Sequence, residues 1–177
     1  TTDTVNHIHF RNGIVVCQGF SGIDCNAADP GSEYAFEFKS VDAAGGAFAE
    51  NISFTDVNFE IPRGGMVNLK GVRDVIFTNV SLFDLTGVPD NPLVQIGVND
   101  AAAPSINITF INTLIRRNHA TVPDVYIDGT VGSQGRVVFI GGTFGRVKGS
   151  STATPAGKFA NVGGNVASPF STWTHVP

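Results

Sequence analysis

Val75-Ile-Phe-Thr-Asn-Val-Ser-Leu82 is the stretch on which the fold turns, because versions of it return four more times along the chain. Phe10-Arg-Asn12, Phe54-Thr-Asp56, Phe77-Thr-Asn79, Phe110-Ile-Asn112 and Phe139-Ile-Gly141 all read Phe, any residue, then Asn, Asp or Gly. Two residues before each Phe stands an aliphatic: Ile8, Ile52, Val75, Ile108 and Val137. These alternate with His9, Ser53, Ile76, Thr109 and Val138 as a strand with one inward face does. Behind the triplets come Val15 and then Val57/Phe59, Val80/Leu82, Thr113/Ile115 and Gly142/Phe144, which read as a second short strand. The residue between the two strands belongs to the few types that tolerate φ > 0. The pattern therefore predicts a one-residue, left-handed corner and not a hairpin.

After a variable excursion each unit has a third apolar segment: Tyr34-Ala-Phe36-Glu-Phe38, Met66-Val67-Asn-Leu69, Leu93-Val94-Gln-Ile96, Asp124-Val125-Tyr-Ile127 and Gly157-Lys-Phe159. Strand order is kept while loop lengths vary. That is the signature of a solenoid, in which each coil buries its apolar face against its neighbours. A β-sandwich would show hairpin turns and give no reason for one Phe-x-Asn corner to recur. The reading is all-β: a parallel β-helix of about five three-strand coils, at ~4.8 Å per rung, over residues 1–162. Residues 163–177 break the pattern and are expected to form a C-terminal cap, with Pro169, Phe170 and Trp173 folded over the last rung. Val5 enters the first strand almost at once, so preceding residues or a partner chain are expected to cover the front.

Composition agrees. Charged residues are only 15% and the single Met contrasts with 21 Gly and 14 Phe, a balance poor in helix formers and rich in strand and turn residues. A net charge of -4 offers no basic surface to a phosphate backbone, so nucleic acid is not an expected partner. No apolar run approaches the ~18 to 20 residues that span a bilayer, and Thr1 to Val5 lack the features of a signal peptide. The chain reads as soluble, and as a mature or excised piece of something longer. Cys17 and Cys25 fit either a local disulfide or two buried thiols.

With three strands per coil and Asn stacked on Asn at a corner, the chain resembles the right-handed, single-stranded parallel β-helix of the pectate-lyase-like superfamily. That group includes polysaccharide lyases, polygalacturonases and phage tailspikes, and the resemblance runs from about Val5 to Val162. It implies a right-handed coil, a substrate groove on the first-strand face and, by likeness to tailspikes, a homotrimer. The polygalacturonase signatures Asn-Thr-Asp, Asp-Asp, Gly-His-Gly and Arg-Ile-Lys have no counterpart, and no pectate-lyase-like calcium cluster is evident. No catalytic role is therefore carried over.

Stacking turns sequence repeats into columns one strand spacing apart. On the first strand the outer column is His7, Asn51, Asp74, Asn107 and Arg136; on the third it is Glu37, Asn68, Gln95, Tyr126 and Lys158. Both carry groups that hydrogen-bond sugar hydroxyls, and the Tyr can stack on a sugar ring. Outward strand positions are polar in any case, so simple solvation competes with binding. Ile14, Val16, Phe83 and Leu114 put apolar groups on the outer second-strand face, to be covered by a loop or another subunit. His7 and His9 lack the third ligand that zinc catalysis wants, so no metal or other cofactor is expected. The sequons at Asn51, Asn79 and Asn107 are read as products of the repeat.

The preferred functional reading is a carbohydrate-recognising β-helix, extracellular or on a virion surface, that binds a polysaccharide through outward polar columns. A second is a polysaccharide lyase, hydrolase or epimerase using Asp74 and Arg136 or the pair His7 and His9. A third is a structural spacer. Fold alone is a weak warrant for activity.

Overall fold

In the computed structural model the corner residues adopt the conformation their types allow: Asn12, Asp56, Asn79 and Asn112 have φ of 47–55°, and Gly141 has φ 60°. The structure describes residues 6–16, 34–39, 49–60, 65–84, 91–97, 105–117, 122–127, 136–149, 159–163, 165–168 and 174–176. In chain order the strands are β1 (Asn6–Val16), β2 (Tyr34–Lys39), β3 (Glu50–Glu60), β4 (Gly65–Lys70), β5 (Arg73–Thr78), β6 (Ser81–Asp84), β7 (Val94–Ile96) and β8 (Ile106–Ile111). Then come β9 (Leu114–Arg117), β10 (Val125–Ile127), β11 (Val137–Ile140), β12 (Thr143–Gly149), β13 (Phe159–Val162), β14 (Asn165–Ser168) and β15 (Thr174–Val176). No helix occurs among the described residues.

Every pairing between these strands is parallel, and the resulting sheet does not close into a barrel. The arrangement fits a parallel β-helix. Three ladders account for it. The first runs β1, β3, β5, β8, β11, β13, β15. The second takes the later halves of β1 and β3 and continues through β6, β9, β12 and β14. The third runs β2, β4, β7, β10 and the end of β12. Strands β1 and β3 pass through the corner at Asn12 and Asp56, so each serves two ladders.

The Phe of the repeated triplet forms the spine. Phe10, Phe54, Phe77, Phe110 and Phe139 stack ring on ring, with centroids 4.7, 4.9, 4.7 and 4.8 Å apart and planes within 12° of parallel. This separation is the strand spacing of a sheet, so one side chain per rung suffices to keep register. Each such pair adds about 0.5–1.5 kcal/mol beyond its area burial. Around the spine Ile52, Val75, Ile108 and Val137 from the first ladder, Phe59, Leu82, Ile115 and Phe144 from the second, and Leu69, Ile96 and Ile127 from the third are buried. On the first rung Ile8, Phe10, Val15, Phe36 and Phe38 are only partly buried.

One expectation needs correction. The last third-strand segment is not Gly157-Lys-Phe159. Val147, Lys148 and Gly149 at the end of β12 pair with Val125, Tyr126 and Ile127, while Phe159 opens β13 in the first ladder. The chain reaches the third ladder here without an excursion, because β12 turns directly from one ladder to the next. Lys148, not Lys158, therefore stands in register with Tyr126, and Lys158 lies outside the described residues. Pairing also continues past residue 162, since β14 joins β12 and β15 joins β13. Pro169, Phe170, Trp173, Cys17 and Cys25 lie outside the described residues.

Candidate functional site

The first-strand column takes a different form from the one its residue types suggest. His7, Asn51, Asp74 and Asn107 have φ of 63, 56, 54 and 57°, so they form a second left-handed corner at the start of each first strand. It lies five residues before the first corner on these four rungs: 7 and 12, 51 and 56, 74 and 79, 107 and 112. Arg136 holds the equivalent place on the next rung; it is exposed, and its carbonyl accepts from Ile108 N at 2.9 Å. Asn and Asp reach the left-handed region more easily than other residues with a Cβ. Their recurrence here is accounted for by backbone geometry alone.

The corner side chains also satisfy one another. Asn107 Nδ2 donates to Asp74 Oδ1 at 2.9 Å. In the other corner Asn79 Nδ2 donates to Asp56 Oδ1 at 3.1 Å, and Asn112 Nδ2 to Asn79 Oδ1 at 2.9 Å. On the fifth rung the corner is Gly141-Gly142, with φ of 60 and 79°. A Cβ on Gly142 would overlap the backbone of Thr113, so only glycine fits there.

Of the four catalytic candidates, Asp74 is thus engaged by Asn107, which stands between it and Arg136 in the column. His9 Nδ1 lies 2.6 Å from Ser53 Oγ, and the rings of His7 and His9 are 6.5 Å apart. Among the described residues no group of three or more His, Cys, Asp or Glu is placed to hold a metal ion. Asp124, immediately before the third-ladder strand β10, is buried, and its Oδ2 accepts from Arg146 N at 2.6 Å. Asp128 lies outside the described residues.

The third-strand column reads Glu37, Asn68, Gln95, Tyr126, Lys148. Its ends are open, but its centre is not: Asn68 is 3% and Gln95 9% exposed. Asn68 Nδ2 donates to Glu37 Oε2 at 3.3 Å, and Lys70 Nζ pairs with the same oxygen at 3.0 Å. Tyr34, from two strands away, donates its hydroxyl to Gln95 Oε1. Asn68 Oδ1 is buried with no donor to accept from. A buried carbonyl in that state costs about 1–3 kcal/mol relative to a paired one. Neither Lys70 nor Tyr34 stood among the expected site residues. Lys70, two residues after Asn68, is legible in the sequence as a neighbour of the column; Tyr34 is not, because its reach across rungs is a product of packing.

On the second face Ile14, Asn58, Ser81, Leu114 and Thr143 share one register row. Ile14 is 69% and Leu114 36% exposed, while the side chains of Val16 and Phe83 lie outside what is described. Compared with protein-family models, with curated proteins and with solved structures, the chain finds no match.

Proposed function

We propose that this chain is a right-handed parallel β-helix of the pectate-lyase-like kind that recognises a polysaccharide, and that the third-strand face carries the recognition. The observation that carries the reading is Asn68 Oδ1, a buried acceptor without a donor, set among a carboxylate, an ammonium, a second amide and a phenol. Sugars present hydroxyls that both donate and accept, and such a mixed set matches them better than it matches a purely anionic or apolar ligand. Tyr126, half-buried in the same column, adds a surface for stacking. In this reading the glycan is extracellular or on a cell surface, and the protein meets it in a secreted form or on a virion.

Binding is favoured over cleavage because the acids near this face are already committed. Glu37 pairs with Lys70 and Asn68, and Asp124 is buried with its Oδ2 on the Arg146 N–H. A hydrolase would need two carboxylates spaced ~5 to 9.5 Å apart around a bond. A glycan array tests the reading: it expects binding with the oligosaccharide recovered intact. New reducing ends or unsaturated sugars would move the protein to the lyase and hydrolase class, and no binding at all would leave the spacer reading.

A further inference from the structure

Tyr34 opens β2 and stands in register with Gly65 on β4. Its ring lies against the Gly65 backbone so closely that a Cβ there would overlap Cδ1, Cε1 and Cζ. The hydroxyl reaches the following strand, β7, where it donates to Gln95 Oε1. Gln95 is in turn the register partner of Asn68, whose Oδ1 has no donor. Three features therefore meet: a floor of backbone without a Cβ, a six-membered ring with one hydroxyl resting on it, and two neighbouring carbonyl acceptors of which only one is served. The phenol has one proton to give, so of the two buried acceptors beside it Gln95 Oε1 is served and Asn68 Oδ1 is not.

We propose that the Tyr34 phenol is a displaceable placeholder in a sugar subsite. A neutral pyranose takes its place over Gly65 and gives hydroxyl protons to Gln95 Oε1 and Asn68 Oδ1. The proposal rests on the glycan-binding reading above and names its ligand class. Neutrality follows from the charges among the described residues: Lys70 is matched by Glu37 at 3.0 Å, and Lys148 stands two register rows from Gln95, while the whole chain carries -4. Among the described residues no unmatched cation beside Gln95 and Asn68 favours a uronate over an uncharged sugar.

Isothermal titration of the full chain with cello-, manno- and xylo-oligosaccharides, and with oligogalacturonates, tests this in the wild type and in Tyr34→Phe. The Phe ring keeps the packing but releases Gln95, so the variant should bind a neutral oligosaccharide about 3- to 10-fold more tightly. It should also melt at a lower temperature. A merely structural Tyr34 would lower the melting temperature with no gain in affinity, and that result overturns the placeholder while leaving glycan binding in place. Preference for the oligogalacturonates overturns the neutral ligand class, and silence from both chains across the panel overturns the subsite together with the reading beneath it. Should Tyr34→Phe not fold, side-chain amide NMR of the wild type decides. The Asn68 and Gln95 signals must move on titration, and their failure to move in a chain that binds overturns the proposal.

Discussion

The corner columns and the third-strand column are built from nearly the same residues, yet the fold uses them for opposite ends. Asn51, Asp74, Asn79, Asn107 and Asn112 sit at left-handed φ. Where their partners are seen, Asn79, Asn107 and Asn112 bond along the stack. Asn68 and Gln95 lie on extended strands, under cover, and one of their oxygens lacks a donor. An amide is therefore not a sign of binding in itself. What separates the two cases is whether the backbone conformation already explains the residue type and whether the side chain's hydrogen-bonding capacity is filled.

The difference can be broken at its strongest point first. Gly142→Ala should cost roughly 4 kcal/mol, since strain at φ 79° adds to overlap with the Thr113 backbone, which cannot move without shifting its rung. Denaturant titration reads this, and a loss under ~1 kcal/mol would show that the corner can relax. Asn79→Val should cost about 2–3 kcal/mol, because a β-branched residue at φ 52° is strained and two exposed ladder bonds are lost. An unchanged melting temperature would undo the corner assignment.

Asn68→Leu sharpens the contrast from the other side. It removes the bond to Glu37 but also the oxygen without a donor, so stability should change by no more than ~1 kcal/mol while glycan binding falls. Asp74→Asn should have the smallest effect: the new residue tolerates the left-handed position, and its carbonyl can still accept from Asn107, so stability should stay within ~0.5 kcal/mol and glycan binding should be unaltered. Lost binding in Asp74→Asn with intact binding in Asn68→Leu would return the site to the corner column.

Much of the fold was legible because left-handed corners restrict residue type so sharply. The Phe-x-Asn triplets located a left-handed corner behind the Phe of five first-ladder strands, and the aromatic spine followed. The second corner was equally present in the string as Asn51, Asp74 and Asn107, always five residues before the first. As a string it reads equally well as an outward strand face, because Asn and Asp suit solvent as well as positive φ. The clue was the constant interval, which a flat strand followed by loops does not require. The last third strand is hidden for the reverse reason: the other units place an excursion before it, and β12 makes none.

The sequence by itself determined the period, the inward face and the first corner, because each of these depends on interactions that recur locally: alternation, bulk and the steric limits on φ. Only the tertiary structure decided which polar column is covered. Burial of Asn68 and Gln95, and the hold of Tyr34 on Gln95 across Gly65, arise between residues 31 and 61 positions apart. No local pattern records a contact of that kind, since it exists only once neighbouring coils have been stacked.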